Sequence, residues 1–398
     1  MTPVSLAPLL TEEGWALLES LPPYEESEAL RLAGSLREQG HPAALVSAAM
    51  TQSKLRARAK AKFGPFASSM LFTAVGLEQA TRLDVAARHA ARYAAANVTL
   101  VADLGCGIGG DAMALAGLDI GVLAVDRDEL ATAVATLNLR HFPHVRVECS
   151  DAMDVDLSAV DGAWLDPSRR TKGGSRRHDP RRGSPSWSQV CSVAAHVPAT
   201  GAKLAPGVPH ELLPLDAETQ WVSVDGDLVE AAVWWGPLAR PGIRRAATVL
   251  RHGTGSELTW PDHEPPRTRV GPLGQYLIEP DDAVLRAGLV GPLGERLAAT
   301  ALDPGIAYLS LDRVTDAVTG CGLARVYRVL DVWPFSLKPL RTRLRELDIG
   351  SLTIKKRGTA VVPEQLRAQL RLRGTRHATI VLTRLGGRQH VILVSPVD

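Results

Sequence analysis

The stretch Asn97–Asp111, NVTLVADLGCGIGGD, decides how the rest of the chain is read. Val98-Thr99-Leu100-Val101-Ala102 is an uninterrupted apolar run with β-branched members, the character of a strand buried on both faces. Asp111 to Ala116 begins a helix directly after four glycines, Gly105, Gly107, Gly109 and Gly110. The order is therefore strand, glycine turn, helix. Glycine suits such a turn because the backbone bends sharply and a ligand can approach where no Cβ stands, while the helix start offers unpaired N–H groups. The stretch reads as a ligand cradle.

The spacing of the glycines admits two ligands. Gly105, Gly107 and Gly110 satisfy the G-x-G-x-x-G dinucleotide fingerprint, whereas Asp103 with Gly105, Gly107 and Gly109 gives D-x-G-x-G-x-G. A second strand, Val122 to Val125, ends on Asp126, an acid placed to accept from ribose hydroxyls as either ligand requires. A third, Val145 to Cys149, runs into Ser150-Asp151-Ala152, and a fourth, Gly162 to Leu165, ends on Asp166-Pro167. Ligands of open α/β sheets bind outside the carboxyl ends of the strands, so Asp103, Asp126, Asp151 and Asp166 converge on one crevice. Any one of them alone would read as a solvated loop aspartate. Four in register read as a site.

The chain has 398 residues, 45% of them hydrophobic and 22% charged, which fits a globular protein of two or three domains. It contains no apolar run of eighteen residues and no basic-then-apolar leader, so a cytoplasmic protein with no membrane partner is expected. Cys106, Cys149, Cys191 and Cys321 form no C-x-x-C pair, and neither a disulfide framework nor a metal is expected. The net charge of +2 hides an asymmetry: residues 1–50 carry seven acids and two basic residues, residues 331–398 thirteen basic residues and five acids. Such polarity suggests an anionic partner for one end, nucleic acid first among them.

Along the chain, residues 1–66 read as an N-terminal helical domain. Thr11 caps one helix closed by Pro22-Pro23, Glu25 to Gln39 places Leu30, Ala33 and Leu36 at helical spacing, and Pro42 opens a third helix. That third helix runs into Lys54, Arg56, Arg58, Lys60 and Lys62, either a solvated helix end or an RNA contact. Residues 67–240 carry the cradle and its strands. Within them, the segment from Arg169 to Arg182 holds seven Lys or Arg and one acid, with Gly173-Gly174 and Pro180 excluding a regular helix. Placed directly after Asp166-Pro167, it reads as a loop over the reaction centre whose cations neutralise phosphates. Gln220 to Val224 and Leu228 to Trp235 form a hairpin turned on Asp225-Gly226, with Trp234 and Trp235 on opposite faces. Residues 241–329 read as a mixed connecting region. Residues 330–398 form a small α+β unit: a helix from near Ser336 to Leu347, a strand at 351–354 delivering Lys355-Lys356-Arg357 to a turn, a helix opened by Pro363, and two strands paired through Gly386-Gly387.

Residues 70–235 resemble the class I S-adenosylmethionine-dependent methyltransferases, with Asp103 to Gly109 as the glycine motif and Asp166-Pro167 where that family keeps its catalytic motif. The run Gly105 to Asp111 is similar in particular to the RNA cap guanine-N2 branch, which also has Gly-Gly there. The chain end resembles the THUMP-like domains attached to bacterial methyltransferases, related to the THUMP RNA-binding domain. The resemblance implies an α/β fold, a Rossmann-like methyltransferase sheet flanked by the helical domain and the THUMP-like domain. It implies S-adenosylmethionine as cofactor, held by Asp103, Gly105, Cys106, Gly107 and Gly109 at the methionine side, by Asp126 with Arg127 at the ribose, and by Asp151 and the Ala152 N–H at the adenine. Phe72 and Thr73, with Gln79 nearby, lie in the segment that often covers the methionine end. Asp166 and Pro167 become the catalytic pair.

One departure stands out. Enzymes that methylate exocyclic amines of bases follow the acceptor with two prolines and an aromatic, and here Ser168-Arg169 replaces the second proline and the ring. Arg169 then becomes a candidate to stack on a base or bind a phosphate, and Trp164 or Trp187 a candidate to supply the ring. Arg169, Arg170, Lys172, Arg176 and Arg177, with Lys355, Lys356 and Arg357, are the expected substrate contacts. The expected activity is methyl transfer to a base nitrogen of RNA. A non-catalytic module that binds S-adenosylmethionine and RNA, and a small-molecule methyltransferase, are the alternatives left open.

Overall fold

The computed structural model describes residues 5–167 and 183–397. The chain divides into two compact units, Met1–Lys203 with Trp234–Leu238, and Leu204–Val233 with Ala239–Asp398. Among the described residues no helix is long and apolar enough to cross a membrane.

The first unit opens with α1 (Glu12–Ser20), α2 (Ala29–Glu38) and α3 (Ala43–Phe63). Thr11 caps α1 by accepting from the Gly14 N–H at 3.0 Å. On α2 the expected stripe is only partly buried, since Leu36 is enclosed whereas Leu30 is 90% exposed. Three of the five cations in the basic run of α3 are engaged within the fold, while Arg58 and Lys60 are exposed. Lys54 pairs with Glu26 at 2.8 Å, Arg56 donates to the Met70 carbonyl at 2.9 Å, and Lys62 donates to the carbonyls of Leu77, Glu78 and Ala80 at 2.7–2.9 Å. Burial lowers the Lys62 ammonium to about 8, with Lys203 and Arg82 adding repulsion. Buried Gln52 and Asn138 brace the segment that follows: Gln52 exchanges two hydrogen bonds with the Phe72 backbone, and Asn138 does the same with Leu71. The helices α4 (Ala74–Gln79) and α5 (Leu83–Ala95) then lead to the sheet.

That sheet is built from β1 (Leu100–Leu104), α6 (Gly110–Ala116), β2 (Gly121–Asp126), α7 (Glu129–Asn138), β3 (Val145–Cys149), β4 (Gly162–Leu165), α8 (Trp187–His196) and β5 (Ala199–Leu204). The strand order is β3-β2-β1-β4-β5 and all four pairings are parallel. β1, at the centre, is buried from Val101 to Leu104, as its apolar run requires. Trp234 closes this core. Its ring stacks on Trp164 at 5.3 Å, and both are buried together with His89 and Tyr93.

The second unit contains β6 (Glu218–Val224), β7 (Asp227–Trp234), β8 (Arg245–Arg251) and β9 (Thr254–Trp260), with β7-β6-β8-β9 side by side. The turn between β6 and β7 falls on Asp225 (φ 52°) and Gly226 (φ 93°), where the sequence places it. A second hairpin, turned on His252-Gly253, joins β8 to β9 inside the stretch read as a mixed connecting region. Next come β10 (Tyr276–Pro280), α9 (Asp282–Arg286), α10 (Val290–Leu297), β11 (Thr300–Asp303), β12 (Ile306–Leu311) and α11 (Asp316–Thr319). The chain ends with β13 (Ala324–Pro334), α12 (Leu337–Glu346), β14 (Ile349–Lys356), α13 (Pro363–Leu370), β15 (Arg376–Leu385) and β16 (Arg388–Pro396).

These last strands share one sheet with the connecting region, in the order β11-β12-β10-β13-β16-β15-β14. β13 crosses residue 330, where the last domain is expected to begin. It pairs first with β10 and then with β16. One face of the sheet packs under α12 and α13 through Leu340, Leu344, Leu366 and Leu370; the other buries Leu277, Tyr308 and Tyr327 against Val381, Ile392 and Val394.

The Trp164–Trp234 stack makes one glycine indispensable. A Cβ at Gly201 would sit 2.6 Å from the Trp234 ring and 2.9 Å from that of Trp164. Gly201→Ala is therefore expected to cost about 1–3 kcal/mol by overpacking. Urea unfolding followed by tryptophan fluorescence checks this; an unchanged midpoint would show that the stack gives way freely.

Candidate active site

The site forms at the carboxyl ends of β1, β2 and β4, and its geometry begins with the glycine turn. Gly105, Gly107 and Gly109 take positive φ values of 103°, 55° and 85°, a region that side chains rarely enter. The N–H groups of Gly105 and Cys106 both donate to the Val125 carbonyl, at 2.8 and 2.9 Å, tying the turn to β2. At Gly105 an added Cβ would lie 2.9 Å from the Asp166 carbonyl oxygen, so the turn and the end of β4 are in close approach. At Gly107 the same construction meets open space. Ala135 and Leu139 of α7 back Gly109.

The four acids then separate by environment. Asp103 is 1% exposed, and its Oδ2 is buried with no hydrogen-bond partner among the described residues. Burial holds its carboxyl well above the usual carboxylate range, with Asp111, Asp166 and Asp126 adding repulsion and an N–H bond from Ala112 opposing them. Asp126 accepts from the Gly107 N–H and the Asp128 N–H, each at 2.9 Å, so it shapes the turn as well as facing the crevice. Asp151 is exposed, accepts from the Met153 N–H at 3.0 Å, and is followed by half-buried Ala152. Arg127 is exposed and donates to Ser184 Oγ at 3.1 Å.

Asp166 is 26% exposed and its Oδ2 receives the Lys203 Nζ at 2.7 Å. Pro167 is buried behind it. Lys203 also donates to Thr81 Oγ1 at 3.0 Å, Thr81 donates to Asp111 Oδ2 at 2.7 Å, and Asp111 Oδ1 lies 2.9 Å from His89 Nδ1. Burial works against ionisation of Asp111, yet the bond and charge of His89, with Lys203 and Thr81, hold its carboxyl below the usual range. Lys203, Thr81 and His89 are absent from the sequence reading, although each leaves a trace in it. A lysine within the apolar run Ala202 to Leu204 and a histidine on the stripe Val85, Ala86, His89, Ala90, Tyr93 both demand buried partners.

Other expected contacts are placed differently. The ring of Phe72 is a core side chain, buried against Phe63 at 5.6 Å, while Thr73 is half-buried and caps α4 by accepting from the Gly76 N–H at 2.8 Å. Gln79 is exposed. Cys106 is buried, and desolvation with the charges of Asp103 and Asp126 raises its thiol well above the usual range. The expectation that Trp164 or Trp187 supplies a stacking ring is corrected: both are buried, Trp164 between Trp234 and His89 and Trp187 against Trp235. Arg169, Arg170, Lys172, Arg176 and Arg177 lie outside the described residues.

In the second unit the basic turn after β14 is engaged internally. Lys355 donates to Glu279 at 2.6 Å over the Tyr327 ring, Lys356 to the Val361 carbonyl at 2.9 Å, and Arg357 to Asp282 at 3.3 Å over the Tyr308 ring.

A parallel sheet in this order, a glycine turn at its central strand and acids at its strand ends define a nucleotide-type cofactor site of the class I methyltransferase kind. Residues 324–396 match the family model described as THUMP domain-like, and residues 2–59 match a domain of unknown function (DUF8688). An uncharacterized S-adenosylmethionine-dependent methyltransferase of Mycobacterium tuberculosis (strain ATCC 25618 / H37Rv) is 35% identical over 361 residues, covering 83% of this chain and 91% of the relative. A crystal structure assigned to the methyltransferases, from Porphyromonas gingivalis W83, superposes with a TM-score of 0.69 over 93% of this chain and 98% of its own, at 18% identity. The chain belongs to the S-adenosylmethionine-dependent methyltransferases.

The residues at the turn fit that cofactor. Among the described residues the buried Asp103 Oδ2 has no hydrogen-bond partner, and the space over Gly107 is open, so both leave room for a ligand group. Gly105→Ala combines a strained φ with a clash against the Asp166 carbonyl. Strain of about 1–3 kcal/mol, relieved by a shift of the turn away from its cofactor-holding shape, should weaken S-adenosylmethionine by roughly fivefold to 150-fold. Calorimetric titration checks this, and undiminished affinity would mean that the turn plays no part in holding the cofactor.

Proposed function

We propose that this methyltransferase acts on RNA and transfers its methyl group to a base nitrogen. The observation that carries the reading is Asp166, an acid at the end of β4 that stands beside the glycine turn, partly exposed and fixed by Lys203. When bound, S-adenosylmethionine supplies a methyl group on a sulfonium sulfur, an electrophile that needs no activation by the protein. What remains for the chain is to position the nucleophile. Asp166 accepts a hydrogen bond from a substrate N–H and turns the nitrogen lone pair toward the methyl group. Its main-chain carbonyl, pressed against Gly105, offers a second acceptor. Asp103 takes the ammonium of the methionine part, Asp126 the ribose hydroxyls, and Asp151 with the Ala152 N–H the adenine.

RNA is supported by three features. The THUMP-like match covers residues 324–396, the segment 169–182 places seven Lys or Arg directly after Asp166-Pro167, and the chain end is strongly basic. Cations in these places gain affinity from phosphate neutralisation. Of the expected contacts, those in 169–182 carry the proposal further than Lys355, Lys356 and Arg357, whose heads already have partners.

Tritiated methyl transfer to RNA from cells lacking the protein tests the proposal. Asp166→Ala is expected to lower the rate by about 10²-fold or more, the scale of a lost positioning group, with the cofactor still bound. Asp126→Ala should instead raise the cofactor concentration required, since it loses the Gly107 bond as well as the ribose contact. Should wild type bind S-adenosylmethionine and RNA yet transfer no label, a non-catalytic binding module replaces the enzyme reading.

RNA affinity offers a separate check. Neutralising Arg169, Arg170, Lys172, Arg176 and Arg177 should weaken binding uniformly across sequences and make its dependence on salt shallower. Unchanged affinity and slope would favour a small-molecule substrate.

A further inference from the structure

Lys203 sits near the end of β5, a fully buried strand in which it is the one charged residue, and it is 7% exposed. An ammonium so far removed from water persists only with close partners. Its partners form one continuous chain of hydrogen bonds, from Asp166 through Lys203 and Thr81 to Asp111 and His89. The Thr81 hydroxyl accepts from Lys203 and donates to Asp111, so its single proton is committed and the direction of the chain is set. The chain runs from the partly exposed acid at the end of β4 to the buried acid in the first turn of α6, immediately after the glycines.

The charges around it explain why a cation is required. Asp103 of β1, Asp126 after β2, Asp111 of α6 and Asp166 after β4 crowd one end of the sheet. Lys203 of β5, Lys62 of α3 and His89 of α5 face them. Lys62 spends its donors on three backbone carbonyls and His89 lies against Asp111, whereas Lys203 reaches Asp166 directly. The Lys203 ammonium thus lies in direct contact with a carboxylate that stands among other carboxyls.

We propose that Lys203 is a positioning residue that holds Asp166 ionised and turned in one direction, so that Asp166 acts as a fixed hydrogen-bond acceptor and not as the final proton acceptor. The proposal rests on the reading of Asp166 as the acceptor for a substrate N–H. In the transfer, the nitrogen–carbon bond forms as the carbon–sulfur bond breaks and its electron pair passes to sulfur. The proton of the methylated nitrogen then leaves to solvent, and Asp166 is a carboxylate before and after. The rate of the wild type is accordingly level across neutral pH.

Two measurements on the full chain test this. Carbon-13 NMR of aspartate-labelled protein, with the Asp166 signal assigned through Asp166→Asn, follows its ionisation and needs no substrate. In Lys203→Met, Asp166 should take up its proton at a pH higher by about 1–3 units, the effect of removing a contact cation, and Lys203→Arg should restore the wild-type titration. Methyl transfer to RNA from cells lacking the protein should show the same displacement as an acid limb that enters the neutral range only in Lys203→Met. Retained S-adenosylmethionine binding certifies the fold of each variant; if Lys203→Met does not fold, Thr81→Val, which removes the second partner of the ammonium, should displace the titration in the same direction to a smaller extent. Identical titrations of Asp166 in wild type and variant would overturn the proposal. An absence of label with wild type would instead count against RNA methylation, while the NMR titration still decides the role of Lys203.

Discussion

The molecule's first unit is organised by an electrostatic constraint: a sheet with an apolar interior delivers Asp103, Asp126 and Asp166 to its carboxyl ends, and Asp111 joins them from the next helix. Buried carboxylates of like charge repel one another in a medium that screens them poorly. Each must be compensated or give up its charge. Three are compensated. Asp111 has His89 and Thr81, Asp126 has two backbone N–H groups, and Asp166 has Lys203. Asp103 alone keeps a buried oxygen with no hydrogen-bond partner among the described residues. The fold thus leaves one acceptor unmet, at the place where a cationic ligand would meet it.

The surrounding structure follows from holding this arrangement together. Thr81 serves the network only if the loop before α5 is fixed, and Lys62 fixes it through three carbonyls of residues 77–80. Upstream, Gln52 and Arg56 pin the backbone of Met70 and Phe72, so α3 acts as a scaffold for residues 70–81. Lys54, Arg56 and Lys62 on the basic face of α3 therefore serve the fold, through a carboxylate and main-chain carbonyls, and do not form the solvated helix end expected. On the other side of the network, His89 lies against Trp164 and Trp234, which joins the polar chain to the aromatic core.

Much of this was legible in residue order because it is local. The strand, glycine turn and helix at 97–116 follow from periodicity and from the need for positive φ at Gly105, Gly107 and Gly109. The small elements near the chain end, with Ser336 before α12, Pro363 opening α13 and Gly386-Gly387 between β15 and β16, carry their own start and stop signals. What escaped is what depends on distance along the chain. Lys203 and Thr81 are 122 residues apart in sequence, and nothing near either one names the other. β10, β11 and β12 extend the sheet of the THUMP-like unit through pairings that no local signal announces. The engagement of Lys355 by Glu279 is of the same kind.

A cationic ligand group would meet at Asp103 a carboxyl whose hold on its proton burial has strengthened. Burial raises its carboxyl above the usual range, so in the free protein it binds a proton at pH values where an ordinary aspartate would not. A ligand ammonium favours the ionised form, hence binding releases that proton, and affinity rises with pH until the raised value is passed. For the same reason the contribution of Asp103 to the stability of the free protein is fully present below the usual carboxylate range and is lost as pH climbs through the raised value. Calorimetry of S-adenosylmethionine binding in two buffers of different ionisation enthalpy measures the proton directly. Net proton release is expected with wild type at pH values between the usual carboxylate range and the raised one, and none with Asp103→Asn, which should also bind more weakly; equal proton release by both proteins, or none by either across that range, would contradict this role for Asp103.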